Sequence, residues 1–242
     1  MATEEDGRMV PQRSFTVSVI EVVRETADTH SIVLVPAAAD AHLFDFEPGQ
    51  FLTLQVPSEQ AGGAARPYAL SGSGPVGEPM RVTVRRKRGG YASNWICDHL
   101  RVGDQIDVLP PEGTFGPTAV EDRDLLLVAE EIGVASVMSL LAARLRAGRR
   151  RVTLLYVHAG ASVLFGEELA ALERRYDGRL DVLHLSDPGP LATDAEVIRA
   201  RLAGAPGPDV VVCGPPALLD VATRAAADAG VPAARLWAQS RA

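Results

Sequence analysis

The chain has 242 residues, with 24 basic against 31 acidic side chains and a formal net charge of −7. Hydrophobic residues make up 47% and charged residues 23%, which excludes a wholly disordered chain, and the acidic balance argues against nucleic acid or an anionic membrane as the main partner. Two cysteines, Cys97 and Cys213, are too few for a disulfide scaffold or a four-cysteine iron–sulfur cluster held within this sequence, and they suit a reducing cytoplasm.

From the amino terminus, Met1–Arg13 is polar and reads as a flexible tail, and the longest apolar runs are cut by Glu130, Glu131 or Arg144, so no membrane-spanning or targeting segment is expected. Ser14–Val35 alternates β-branched and polar residues and predicts two strands joined by a turn near Ala27–His30. Further strand-like runs follow at Gln50–Val56, Arg66–Ser71, Met80–Arg86 and Gln105–Leu109, parted by Gly, Pro and Ser clusters. Six short strands at this spacing predict a small antiparallel barrel or sandwich.

The texture changes at Glu121. Apolar runs at Leu125–Ala129, Val152–Val157, Leu180–Leu185 and Val210–Cys213 are each followed by a helical stretch, at Val134–Ala147, Glu167–Tyr176, Asp194–Leu202 and Ala217–Ala229. This βα repeat predicts a parallel sheet covered by helices. The expected organisation is a tail at 1–13, a β-barrel at 14–120 and an α/β domain at 121–242, with the boundary near Pro117–Arg123. A ligand is expected in the cleft between them.

Three segments of the first half carry coherent chemistry. Arg66-Pro67-Tyr68-Ala69-Leu70-Ser71 closes a strand and offers a guanidinium for a phosphate and a phenol ring for stacking. Gly89-Gly90-Tyr91-Ala92-Ser93-Asn94 opens a predicted helix, so free amides, a helix dipole and the Ser93 hydroxyl point at one anion. Gly113-Thr114-Phe115-Gly116 ends the barrel with a tight turn. Each alone is an ordinary strand or turn; their order is the signal. The basic run Arg85-Arg86-Lys87-Arg88 reads as a solvated strand face with one phosphate contact rather than a nucleic-acid patch. His99, His158 and His184 lack metal-ligand spacing, so no metal is expected.

With these motifs the chain resembles the ferredoxin–NADP⁺ reductase-like flavoprotein family, in particular the reductase modules of oxygenase systems, from about Ser14 onward. The resemblance implies FAD on the barrel: Arg66 on its phosphates, Tyr68 stacked on the isoalloxazine, and Gly90, Ala92 and Ser93 around the pyrophosphate. Pro67, Ala69, Gly89 and Tyr91 complete those two segments, and Val84, Arg85 and Lys87 would line the ribityl and phosphate path. It also implies that the second domain binds NAD(P)H.

There the pattern departs. The family's hydroxyl residue after the motif tyrosine is Ala69, and the turn Gly-Gly-x-Gly-Ile-Thr-Pro is Glu130-Glu131-Ile132-Gly133-Val134-Ala135-Ser136. Glutamates stand where glycines admit a pyrophosphate, and Tyr156–Gly160 lacks the arginine that relatives place there. The ending Gln239-Ser240-Arg241 lacks the aromatic lid. Cys213-Gly214-Pro215 keeps the family's Cys-Gly-Pro, either beside a nicotinamide or as a buried structural cysteine.

Two functions follow. The expectation from these departures is a FAD-binding pathway enzyme acting on a small organic substrate in the cleft, for instance in a redox-neutral cyclisation or isomerisation, with little NAD(P)H use. Its polar candidates are Tyr68, Glu130, Glu131, Cys213 and Gln239, with Glu131 as acid/base or as a helix cap. The alternative is a conventional NAD(P)H-dependent reductase serving a redox partner protein.

Overall fold

Valine and isoleucine alternating with polar residues make β1 (Phe15–Arg24) and β2 (Thr29–Pro36) an antiparallel pair, with a register shift between Val19 and Glu21. They lie in the six-stranded antiparallel sheet of the computed structural model, which describes residues 13–58, 64–72, 78–117, 123–160, 163–186, 191–203 and 207–240. The other strands are β3 (Phe51–Val56), β4 (Ala64–Ala69), β5 (Met80–Arg85) and β6 (Gln105–Val108), in the order β4-β3-β6-β1-β2-β5. A bridge from Leu70 to Val82 joins the two edge strands and closes the barrel. Val17, Val19, Ile32, Leu34, Leu52, Leu54, Val82 and Val84 fill it, and Ile96 and Cys97 of α1 (Tyr91–His99) pack against them.

The second half is a five-stranded parallel sheet of β7 (Leu125–Glu130), β8 (Val152–His158), β9 (Leu180–Ser186), β10 (Asp209–Gly214) and β11 (Leu236–Ser240). Its central strands β7 and β10 are almost wholly buried and carry apolar runs, as expected where helices cover both faces. On one face α2 (Val134–Ala147) and α3 (Gly166–Arg175) pack over Leu127, Tyr156 and Val211; on the other, α4 (Leu191–Ala203) and α5 (Pro216–Asp228) cover Val128, Leu155 and Val212. The order β11-β10-β7-β8-β9 reverses direction between β7 and β10, and a doubly wound sheet binds its ligands at such a switch point, beyond the carboxyl ends of the strands. Glu130 ends β7 and Cys213-Gly214 ends β10, so both candidate segments converge there.

Gly133 explains how closely these ends pack. A Cβ built there would lie 2.3 Å from the Cys213 carbonyl oxygen, which is backbone and cannot swing aside. Gly133→Ala is expected to destabilise the chain by about 2 kcal/mol, since overpacking of 1–3 kcal/mol outweighs the helix-propensity gain of about 1 kcal/mol. Urea unfolding followed by circular dichroism measures it, and an unchanged midpoint would show that the two ends have room to part.

The structure adds β11, which the sequence reading had left without secondary structure. The expected tail lies almost wholly outside the described residues, as does most of the expected boundary. Among the described residues no helix is long and apolar enough to cross a membrane.

Candidate functional site

Polar cross-links among the described residues hold the two halves together. Arg81 of β5 grips Glu168 of α3 through two bonds of 2.7 and 3.1 Å, and its guanidinium lies over the Phe165 ring at 4.9 Å. The Gly49 amide donates to Ser139 Oγ of α2 at 3.1 Å. Arg85 of β5 pairs with Glu131 at 3.3 Å.

Between the halves lies a cavity of about 950 Å³, at the upper end of the range for small-molecule sites. The barrel supplies Arg66, Pro67, Tyr68 and Ala69 from β4, Thr83 and Arg85 from β5, the loop Arg86–Gly90, and Tyr91, Ala92 and Ser93 of α1. The α/β half supplies Ile132, Ala135 and Ser136, at and just before the start of α2. The structure thus gathers nearly all of the expected cofactor residues on one wall.

Val84 is the exception. Its side chain is wholly buried in the barrel core, because alternation along β5 turns Met80, Val82 and Val84 inward and gives the cavity Thr83 and Arg85 instead. Thr83 had not been singled out in the sequence; its hydroxyl lies 2.9 Å from those of both Ser31 and Ser71.

The anion-binding end is built locally. Gly89 has a φ of +71° with open space around it, so its conformation rather than crowding favours glycine. Gly90 starts α1 without a side-chain cap, which leaves the first-turn amides of Tyr91, Ala92 and Ser93 without intrahelical acceptors. Ser93 Oγ accepts the Lys87 amide at 3.2 Å, and Asn94 Nδ2 donates to the Lys87 carbonyl at 3.1 Å, so the basic loop is stapled to the helix. The Ser93 hydroxyl still has its own proton to donate. Arg86 is held by Asp98 at 2.7 Å, whereas Arg66, Lys87 and Arg88 have no carboxylate partner among the described residues. In a chain of net charge −7, a cavity wall with this much basic charge favours a polyanion such as a pyrophosphate.

Two rings face this space. Tyr68 is half-buried beside the barrel core, and burial pushes its phenol up to about 12, which keeps the ring neutral. Tyr91 is 53% exposed, yet its hydroxyl donates to the Pro57 carbonyl at 2.6 Å, which holds the ring as a fixed platform. Ala69 presents a methyl group to the cavity.

The remaining candidates sit elsewhere. Cys213 is wholly buried in the core beneath α2, so its thiol does not face the cleft, and the buried structural role is the one its position fits. Gln239 lies opposite Cys213 in the β10–β11 register, and neither it nor Glu130 lines the cavity. Glu131 has a φ of +48°, and its carboxylate accepts the Ala159 amide at 2.7 Å as well as pairing with Arg85, rather than capping α2. Arg241 lies outside the described residues.

Folding also joins two histidines that the sequence keeps apart. His158 Nε2 lies 3.1 Å from His184 Nδ1, and burial together with His158 lowers the His184 pKa. Among the described residues no cluster of three potential metal ligands forms.

Comparison with known proteins agrees with this geometry. Residues 16–116 match the model of the oxidoreductase FAD-binding domain. The chain is 38% identical over 228 residues to the ferredoxin reductase component of 3-ketosteroid-9-alpha-monooxygenase from Rhodococcus rhodochrous, covering 94% of this chain and 65% of that one. It belongs to the ferredoxin–NADP⁺ reductase-like flavoprotein family. The corresponding component from Mycobacterium tuberculosis (strain CDC 1551 / Oshkosh) is 40% identical over 222 residues, covering 89% of this chain and 62% of its own. The chain therefore spans a little under two thirds of the length of these curated relatives.

Solved structures of the family share the fold. Phthalate dioxygenase reductase superposes with a TM-score of 0.77 at 26% identity, over 94% of this chain and 68% of that one. The FAD/NAD-binding domain of a nitric oxide dioxygenase from Vibrio cholerae gives 0.79 at 23% identity, over 94% and 98%. FAD is the cofactor of this flavoprotein, and the residues present fit it: uncapped first-turn amides, cations without a carboxylate partner among the described residues, and flanking rings share one large cavity.

Proposed function

We propose that this flavoprotein is the FAD-carrying reductase module of an oxygenase-type electron-transfer system, taking hydride from a reduced pyridine nucleotide and serving a redox partner protein. The observation that carries the reading is the cavity itself, which runs from the cationic barrel wall to the start of α2 at the sheet's switch point. A cofactor on the first surface and a donor on the second would meet inside it. The relatives named as reductase components support the same reading.

Each residue has a distinct task. Arg66, Lys87 and the α1 amides of Tyr91, Ala92 and Ser93 would hold the FAD phosphates through charge and directed N–H groups. Pro67 would stiffen the strand that carries Tyr68, and the Tyr68 and Tyr91 rings would offer the flavin flat apolar surface. Bound FAD supplies the chemistry of accepting two electrons together and releasing them singly. Ala69 leaves the reacting edge without a side-chain hydroxyl, so its backbone amide is the donor there.

The test is anaerobic. Addition of NADH or NADPH to the FAD-loaded protein is expected to bleach the visible flavin band, and a one-electron acceptor is expected to restore it. A flavin that dithionite bleaches but millimolar nucleotide does not would overturn the proposal. That result would favour a second reading, a pathway enzyme on a small organic substrate in the same cleft. The specific observation behind it is Glu131, whose carboxylate already holds Arg85 and the Ala159 amide.

A further inference from the structure

The turn after β7 holds the least expected contact in the molecule. Glu131 adopts a left-handed φ of +48°, a region that disfavours side chains with a Cβ by about 1 kcal/mol. Its carboxylate joins donors from two other places in the fold: Arg85 Nη1 from the barrel at 3.3 Å, and the Ala159 amide just past the end of β8 at 2.7 Å. A guanidinium and an outward-facing amide beyond the carboxyl ends of a parallel sheet's strands are what a phosphate binds. Here the chain fills that position with its own negative charge.

We propose that Glu131 is a resident anion that competes with the phosphate of an incoming nucleotide for Arg85 and the Ala159 amide, and so sets how tightly the donor binds. The inference rests on the reductase reading above, in which a pyridine nucleotide enters beside α2. The ion pair is more than a third exposed, so it is weak enough to be displaced rather than a permanent seal. Removal of the carboxylate leaves Arg85 free to turn toward the cavity that it lines.

The experiment is calorimetric titration of NAD⁺ and NADP⁺ into FAD-loaded wild type, E131G and E131Q. None turns over in the oxidised protein, so affinity is read apart from activity, and the flavin spectrum and thermal midpoint report that each variant is folded. E131G is expected to bind at least one of the two nucleotides at least tenfold more tightly than wild type. E131Q keeps an acceptor for Ala159 but loses the charge, and is expected to gain part of that increase. Equal affinities in all three proteins, or no binding by any, would overturn the inference. If NADH or NADPH also bleached the wild-type flavin, the reductase reading would survive that failure. Tighter binding by E131G without bleaching of wild type by either nucleotide would support the resident anion and remove the reductase reading instead.

Discussion

A chain carrying Arg66→Glu is expected to leave purification colourless. Arg66 is exposed, and among the described residues its guanidinium gives one bond, from Nη1 to the neighbouring Ala65 carbonyl at 2.7 Å. Replacement at such a position changes stability by about 0.5 kcal/mol or less, so loss of flavin would not be loss of fold. The electrostatic effect is far larger. At an effective dielectric near 20, a unit charge about 4 Å from a phosphate is worth about 4 kcal/mol, and the substitution turns attraction into repulsion. Screening at an exposed site reduces this, yet a loss of at least about a hundredfold in FAD affinity remains. Arg66→Lys keeps the charge without the planar fork and is expected to fall between the two. Titration of FAD into the apoprotein, followed by quenching of flavin fluorescence, measures the series. A charge-reversed protein that bound FAD within threefold of wild type would place the phosphates away from β4.

The second large effect concerns stability. Arg144 of α2 and Asp209 of β10 form an ion pair at 2.9 Å with both side chains 3% exposed, and Arg144 Nη1 also donates to the Arg123 carbonyl at 3.0 Å. Asp209→Ala would break this buried ion pair, which costs about 3–5 kcal/mol. The expected fall in thermal midpoint is roughly 10–20 °C, because the contact ties the amino-terminal end of β10 to the helix that covers the sheet. Removing both charges is expected to be much milder: the double substitution Arg144→Met with Asp209→Leu recovers most of the loss, since neither group is then left desolvated alone. Chemical unfolding of the single and double variants decides the point. A single variant within about 1 kcal/mol of wild type would mean that water reaches the pair.

Much of the fold was legible in the order of residues. The βα repeat from Leu125 onward and the alternation over Phe15–Arg24 depend on spacing along one element, and spacing is local. The Arg66–Ser71 and Gly89–Asn94 segments were legible for the same reason, because a glycine turn opening a helix is set by a few consecutive residues. β11 was missed since Leu236–Ser240 is short and only partly buried, and its identity as a strand comes from five pairings with β10. Val84 was assigned to the cavity wall because the sequence carries the period of a strand but not which face turns inward.

The contacts between residues distant in the chain lay further out of reach. Arg81 and Glu168 are 87 positions apart, Arg85 and Glu131 are 46, and His158 and His184 are 26. Nothing in composition or periodicity pairs one arginine with one glutamate among 31 acidic residues. From the sequence Glu131 was a carboxylate in a turn, with roles from general acid to helix cap left open; the fold sets its carboxylate against Arg85 of β5 and the Ala159 amide just past β8.

By itself, then, the order of amino acids determined a flavin-binding barrel followed by a doubly wound sheet, since those depend on short-range pattern and on motifs carried within single segments. Only the tertiary structure decided which charges are neutralised, that both cysteines are buried and which donors the Glu131 carboxylate meets. The physical reason is that electrostatic pairing and desolvation act through space, over a few ångströms between residues that the chain holds dozens of positions apart.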